Sequence, residues 1–299
     1  MTRSKPSVLF LCAALAVTPA VASAAEILVI KSASQAAYEQ AIASLRASLA
    51  EHTVTVRDLA GDPGRVPAAI ESARASQASV VVAVGPLAAE VARDAGKPVV
   101  YLLVPDSAAA GIHGDKVTGV RMGVAPARQL ALIRKLLPSA RRIAVIYDPA
   151  RSQAVLAAAR DAALRLGLTL VETRVESERA VPIAVRRLSG DALWLIVDDT
   201  VVTRRSYPLI LRASLSAHIP TVTFSQDLVR AGALAALEAD FRDSGRKAAT
   251  LTRRILEGHS DIAPMHPEGR LFLNDRVIRQ LGVTIPAEVR NRVGQVFVP

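Results

Sequence analysis

Short apolar runs alternate along this chain with longer stretches whose apolar residues recur at helical spacing. The clearest unit opens at Arg141-Arg142, runs apolar from Ile143 to Ile146, and breaks at Tyr147-Asp148-Pro149. A short β-branched run stopped by Asp-Pro predicts a buried strand ending in a turn. Asp148 suits an N-cap, and Pro149 suits the first helical position, where its missing N–H is not needed. Ser152 to Leu166 carries Ala and Leu at helical spacing, and Gly167 is placed to end that helix. The result is one strand–helix unit with polar groups at its junction. In open parallel sheets ligands sit at that edge, because strand ends and helix N-termini point the same way.

The same grammar recurs. Strands are predicted at Glu26–Ile30, Thr53–Arg57, Ser79–Val84 and Pro98–Val104, with a short extended segment at Val117–Arg121. Helices are predicted between them at Gln35–Glu51 and Val66–Ala75, and a third opens at Gly85-Pro86. After Arg121 the pattern restarts with a helix at Pro126–Leu137, and later strands are predicted at Leu168–Val175, Ala192–Val197 and Pro220–Phe224. The halves align: Val66–Ile70 parallels Val181–Val185, Val80–Val84 parallels Leu193–Val197, and Lys97–Tyr101 parallels Ile219–Thr223. Each half therefore reads as a parallel sheet covered by helices on both faces, with a cleft between the halves. The tail is different: Gly232–Asp240, a helix at Phe241–Glu257, a strand-like Arg270–Leu273 and a helix at Asp275–Leu281. These elements are expected to return to the first half and cross back.

Composition narrows the class. The 299 residues are 51% hydrophobic and 21% charged, which makes a globular chain with a sizeable core. The formal charge is +10, but the arginines are scattered and aromatic content is 3%, so nucleic-acid binding is not expected. Arg3 and Lys5, the apolar run Val8–Val17 and Ala22-Ser23-Ala24 have the order of a cleavable export signal. Cleavage before Ala25 would remove two charges and leave +8. The single cysteine, Cys12, lies inside that run and follows the large Leu11, which argues against a lipoprotein. The mature chain is thus expected to be periplasmic, without a disulfide or a thiolate nucleophile.

Catalytic motifs are missing: there is no Gly-x-Ser-x-Gly, His-Glu-x-x-His or phosphate loop. His259, Asp261 and His266 are close in sequence, but among Gly and Pro they read as a solvated loop, so no metal is expected. Asp198-Asp199 is a poor acid–base pair, since adjacent strand-end residues point opposite ways, and a helix cap is the simpler role. Polar strand ends remain: Ser32, Ser34 and Gln35; Gly85 and Pro86; Asp106 and Ser107; Tyr147 and Ser152; Asp199 and Thr200; Gln226 and Asp227. Free N–H groups and hydroxyls suit a carboxylate, and an Asp suits an ammonium. Each of these residues also serves as an ordinary cap or turn former. Tyr38, Tyr101, Tyr147, Phe224 and Phe241 are candidates for a pocket wall or for core, and Trp194 reads as core.

Larger blocks add specificity. They are Leu137–Pro149, Asp191–Trp194 with Asp199-Thr200, Ala231–Ala236, Asp240–Arg246 and Leu281–Pro286. In this order they resemble the ABC-transporter substrate-binding family of the type I periplasmic-binding-protein fold, in particular members that take aromatic amino acids. The resemblance implies an α/β protein of two Rossmann-like lobes with parallel sheets, joined by a multi-strand hinge. Residues 1–24 would be the signal peptide, 25–121 plus 232–262 lobe one, and 122–231 plus 263–299 lobe two. Hinges are expected near Arg121, Gly232 and Ala263. The implied function is to bind a small solute, such as an amino acid or organic acid, and deliver it to an ABC permease in the inner membrane. No enzyme activity and no cofactor are implied, and a monomer is expected. A receptor signalling to a membrane partner is the alternative. The sequence departs from the family at Gly85-Pro86, where Gly-Thr-Pro is common, and at Arg151-Ser152-Gln153, where Asn-Ser is common.

Overall fold

The computed structural model describes residues 24–105, 107, 110–291 and the backbone of 293–297. The export signal, Cys12 and Asp106 lie outside the described residues. The first unit begins β1 (Glu26–Lys31), α1 (Ala36–Ser48), β2 (Thr53–Asp58), α2 (Val66–Ala75), β3 (Val80–Val84) and α3 (Pro86–Asp94). It continues through β4 (Val99–Leu102) and β5 (Val117–Val120). These strands form a five-stranded sheet in the order β2-β1-β3-β4-β5, parallel throughout. The strand β3, Val-Val-Val-Ala-Val, is buried along its whole length because helices cover both faces. Burying each such valine contributes about 1.5 kcal/mol or more.

The second unit runs α4 (Pro126–Leu136), β6 (Arg142–Tyr147), α5 (Pro149–Arg165), β7 (Thr169–Arg174), α6 (Val181–Arg186), β8 (Ala192–Trp194), α7 (Ser206–Ser216) and β9 (Thr221–Thr223). Next come α8 (Gln226–Arg230), β10 (Ala235–Ala239) and α9 (Phe241–Leu256). The chain ends with β11 (Gly269–Asn274), α10 (Asp275–Leu281), α11 (Ala287–Arg290) and β12 (Val293–Phe297). The seven-stranded second sheet has the order β12-β11-β10-β9-β8-β6-β7. Trp194 is completely buried, and its Nε1 donates to Gln129 Oε1 of α4 at 2.8 Å, so it is core as its mid-strand position predicts.

Two expectations change here. The second sheet is mixed, because β11 runs antiparallel to β10. The chain crosses to the first unit at Asp240 rather than near Gly232: β10 pairs with β9, and Gly232 only closes the turn after α8. Local periodicity cannot separate a further sheet partner from a linker strand, since both are short and apolar.

Of the tail, α9 and the segment after it return to the first unit, where Ile262 joins the core and the Asp261 N–H donates to the Asp115 carbonyl at 2.9 Å. The helix packs along α1 at very close range at Gly245, where a Cβ would lie 2.1 Å from the Ala41 carbonyl oxygen. The crossovers sit together. Val120 bridges Met265, and the Arg121 N–H donates to the Met265 carbonyl at 2.8 Å. The Asp240 N–H donates to the Glu268 carbonyl at 2.9 Å. Because β5 and β10 leave their sheets at their carboxyl ends, and β11 enters beside the end of β10, the crossovers lie at the carboxyl edges of both sheets.

Candidate functional site

Those edges carry every predicted site residue that the structure describes. At the end of β1, Ser32 is buried; its Oγ donates to the Val84 carbonyl and accepts from the Ala88 N–H, both at 3.0 Å. Its hydroxyl thus ties β1 to β3 and to the first turn of α3. Gly85 caps α3 with φ 87°, and a Cβ there would meet the Tyr38 hydroxyl at 2.4 Å. Pro86, at the first helical position, is exposed. Ser34 is also exposed and donates to Asp58 Oδ2 at 2.7 Å. Lys31 joins the same group, with its Nζ on Ser34, Glu39 and Asp58. The Glu39 contact raises the Lys31 pKa above its usual value. Burial pushes Asp58 up, but the Ala60 N–H, the Ser34 hydroxyl and Lys31 outweigh it and hold the carboxyl below its usual range. Gln35 precedes α1 without a side-chain cap, and the Ser107 carbonyl accepts from the Ile112 N–H.

On the second unit, one carboxylate organises the strand ends. Asp198 is buried and accepts from the Asp148 N–H at 2.8 Å, Ser152 Oγ at 2.7 Å, the Thr200 N–H at 3.0 Å and the Val201 N–H at 3.1 Å. Asp148 caps α5 through the Ala150 N–H and accepts from Thr200 Oγ1 at 2.7 Å. Ser152 and Thr200 are therefore brought together, but by a structural network. Asp199 points out, exposed, with no hydrogen bond or ion pair among the described residues.

Tyr147 is corrected. Its ring is fully buried in the core cluster with Leu156, Trp194 and their neighbours, so it cannot wall a pocket. Its hydroxyl donates to Glu172 Oε2 at 2.9 Å and accepts from Arg174 Nε at 3.2 Å. Arg160 grips the same Glu172 with two bonds of 2.7 Å and holds that carboxyl below its usual range. Tyr38 and Tyr101 are core as well, whereas Phe224 and Phe241 are half-buried.

At β9, Gln226 opens α8, and Asp227 is exposed and paired with Arg230 at 2.9 Å. The Gln226 N–H donates to Glu238 Oε1 at 3.1 Å. Glu238 lies on β10, was not among the predicted residues, and is half-buried; that burial raises its pKa above the ordinary glutamate value. Directly opposite it across the antiparallel pair is Arg270. Arg270 borders a cavity of about 240 Å³ with Gln40 of α1 and with Asp240 and Arg242. A sequence signal for Glu238 existed: it is a lone acid in the apolar strand Ala-Ala-Leu-Glu-Ala.

The metal-like trio resolves separately. His266 Nδ1 bonds the Gly123 carbonyl at 2.9 Å, and His259 is exposed beside Glu257. Among the described residues there is no group of three or more His, Cys, Asp or Glu placed to hold a metal. Nor, among them, is any helix long and apolar enough to cross a membrane.

Two units of strand–helix repeats, with polar carboxyl edges meeting at clustered crossovers, define a two-lobed ligand-binding protein of the type I periplasmic-binding fold. The chain matches the ABC transporter substrate binding protein family over residues 49–297 and belongs to it. It is 28% identical over 193 residues to the tyrosine-binding protein of Clostridioides difficile (strain R20291). That match covers 60% of this chain and 55% of the relative's length. Among solved structures, the ligand-free, open form of a substrate binding protein with adhesive properties from Clostridium difficile superposes with a TM-score of 0.73 at 19% identity. It covers 91% of this chain and 99% of that one. A domain from Streptococcus pneumonia in complex with L-Trp gives a TM-score of 0.62 at 23% identity, covering 92% and 100%. At these identities the solved structures speak to the fold.

Proposed function

We propose that the chain binds an amino acid or small organic acid between its two units, outside the cytoplasm, and presents it to an ABC permease of the inner membrane. The observation that carries this is the placement of polar loops from both sheets around one cluster of crossovers. A ligand there touches both units at once, and its contacts favour closure over the open form. Family membership and the tyrosine-binding relative support the amino-acid class. The exposed Ser34, Gln35 and Pro86 of the first unit, together with Ser107, face the ligand with Asp199 and Asp227 of the second. Ser32, Gly85, Ser152, Thr200 and Gln226 shape the loops behind them. Export by the leader ending at Ala24 completes the reading.

The test is a thermal-shift screen of the mature chain against the proteinogenic amino acids and small organic acids. A true ligand at a hundredfold its Kd adds about 2.7 kcal/mol to the folded state and raises the midpoint. A flat panel, or mass spectrometry that finds the intact leader on protein from the periplasmic fraction, would count against the corresponding half of the proposal.

A further inference from the structure

The carboxyl edge of the second sheet next to the crossovers carries one opposed pair of charges. Glu238 and Arg270 are register partners on β10 and β11, so their side chains leave the same face of the sheet. Side chains opposed in this way are close enough to form an ion pair, yet these two form none. Arg270 instead lies over the Phe272 ring, its guanidinium carbon 5.3 Å from the centroid. Glu238 has one carboxylate oxygen on the Gln226 N–H, and its charged neighbours are Arg270 of β11 with Asp227 and Arg230 of α8. Thr223 is on the same face, in register with Ala236 of β10, and its buried hydroxyl has no partner. Arg270 borders the cavity of about 240 Å³, which Gln40 of the first unit, Asp240 and Arg242 also line.

We propose that Glu238 and Arg270 are the paired groups that receive a zwitterion, Glu238 taking its ammonium and Arg270 its carboxylate. This rests on the amino-acid reading above and adds which end of the ligand each group holds. An α-amino acid carries its two charges on adjacent carbons, a spacing that an opposed acid and base on neighbouring strands match. The guanidinium offers two parallel N–H donors to a carboxylate. Glu238 lacks a firm cation, which the ligand supplies. Because Gln40 borders the same cavity, a molecule held by Arg270 there touches the first unit as well. Selection for both charges follows: a ligand without the ammonium leaves the half-buried Glu238 unanswered, and one without the carboxylate leaves the exposed Arg270 without its acceptor.

The experiment is calorimetry on the mature chain with the proteinogenic amino acids. It then uses the best binder's des-amino acid and its decarboxylated amine. For L-tyrosine these are 3-(4-hydroxyphenyl)propionate and tyramine. The unmodified chain should bind the amino acid and lose at least about tenfold in affinity for each analogue, as expected when a charged hydrogen bond is lost. Glu238→Gln should weaken the amino acid by a similar factor and leave the des-amino acid unchanged. Arg270→Gln should weaken the amino acid and leave the amine unchanged. The analogue arm needs no variant to fold. If the amino acid binds but the analogues bind equally, or both variants bind like the parent, the pair is overturned and the amino-acid reading stands. If no amino acid binds at all, both fall together.

Discussion

Ser152 Oγ donates to Asp198 Oδ2 at 2.7 Å, joining the first turn of α5 to the loop after β8 across 46 residues of chain. The bond holds the buried Ser152 hydroxyl inside the second unit. Four donors converge on that one buried carboxylate. Asp198→Asn turns an amide N–H₂ toward N–H donors that then have no acceptor. Urea denaturation should show a loss on the order of 3 kcal/mol. Affinity for any ligand should change only through that loss of stability. An Asp198→Asn protein as stable as the parent would mean the network is dispensable.

Tyr147→Phe separates packing from binding in the same way. The ring stays in the core, while the hydroxyl between Glu172 and Arg174 is removed. Glu172 keeps its two bonds from Arg160, so the loss should be about 1 kcal/mol with ligand affinity unchanged. Calorimetry beside a melting curve checks both halves.

How far the sequence carried these conclusions depended on distance along the chain. Asp148 and Pro149 announced the start of α5, and the structure has that cap. The alternation of apolar runs located both units, because strand and helix periods are local properties. What needed the fold was pairing. Nothing near Glu238 says that Arg270 lies opposite it, since an antiparallel register across 32 residues has no local signature. Which of Asp198 and Asp199 turns inward is decided by the donors of α5 and of the loop beyond. Tyr147 misled because the last residue of a strand is as often the top of a core as the floor of a pocket.

Gly245→Ala tests the seam between α1 and α9. The new methyl would sit 2.1 Å from the Ala41 carbonyl oxygen and 3.0 Å from the Leu45 nitrogen, both backbone atoms of the neighbouring helix. The helices must part, at a cost of about 1–3 kcal/mol for overpacking. The melting midpoint should drop, and ligand affinity should drop with it if α9 has to hold its place for closure.

His266 gives the crossovers a pH dependence. Burial lowers its pKa below the ordinary 6.5; the Gly123 carbonyl opposes this, and the cations Arg121, Lys247 and Arg128 reinforce it. The unfolded chain therefore takes up its proton first as pH falls. Stability is full above about pH 6.5 and declines below it until the folded histidine is also protonated. Urea midpoints measured from pH 8 downward should show that decline, and His266→Gln should flatten it. Equal slopes for the two proteins would assign the dependence to other groups.

Glu268 connects both units at their junction. Its carboxylate pairs with Arg128 of α4 in the second unit and, at 3.4 Å, with Lys247 of α9 in the first. Its N–H donates to Asp243 Oδ2 at 2.8 Å, and its carbonyl accepts from Asp240. The backbone bonds fix the crossover, whereas the two ion pairs span it, so a rotation of one unit against the other must stretch at least one of them. The side chain is half exposed, and such pairs contribute about 1 kcal/mol or less. Glu268→Gln should accordingly leave the melting midpoint nearly unchanged while widening the range of interlobe angles in the free protein. Small-angle scattering would register this as a larger radius of gyration without ligand. With a saturating amino acid the radius should fall in parent and variant alike, because ligand contacts then set the angle. Identical free-state profiles for the two proteins would show that the backbone bonds at Asp240, Met265 and Glu268 hold the angle without help from the ion pairs.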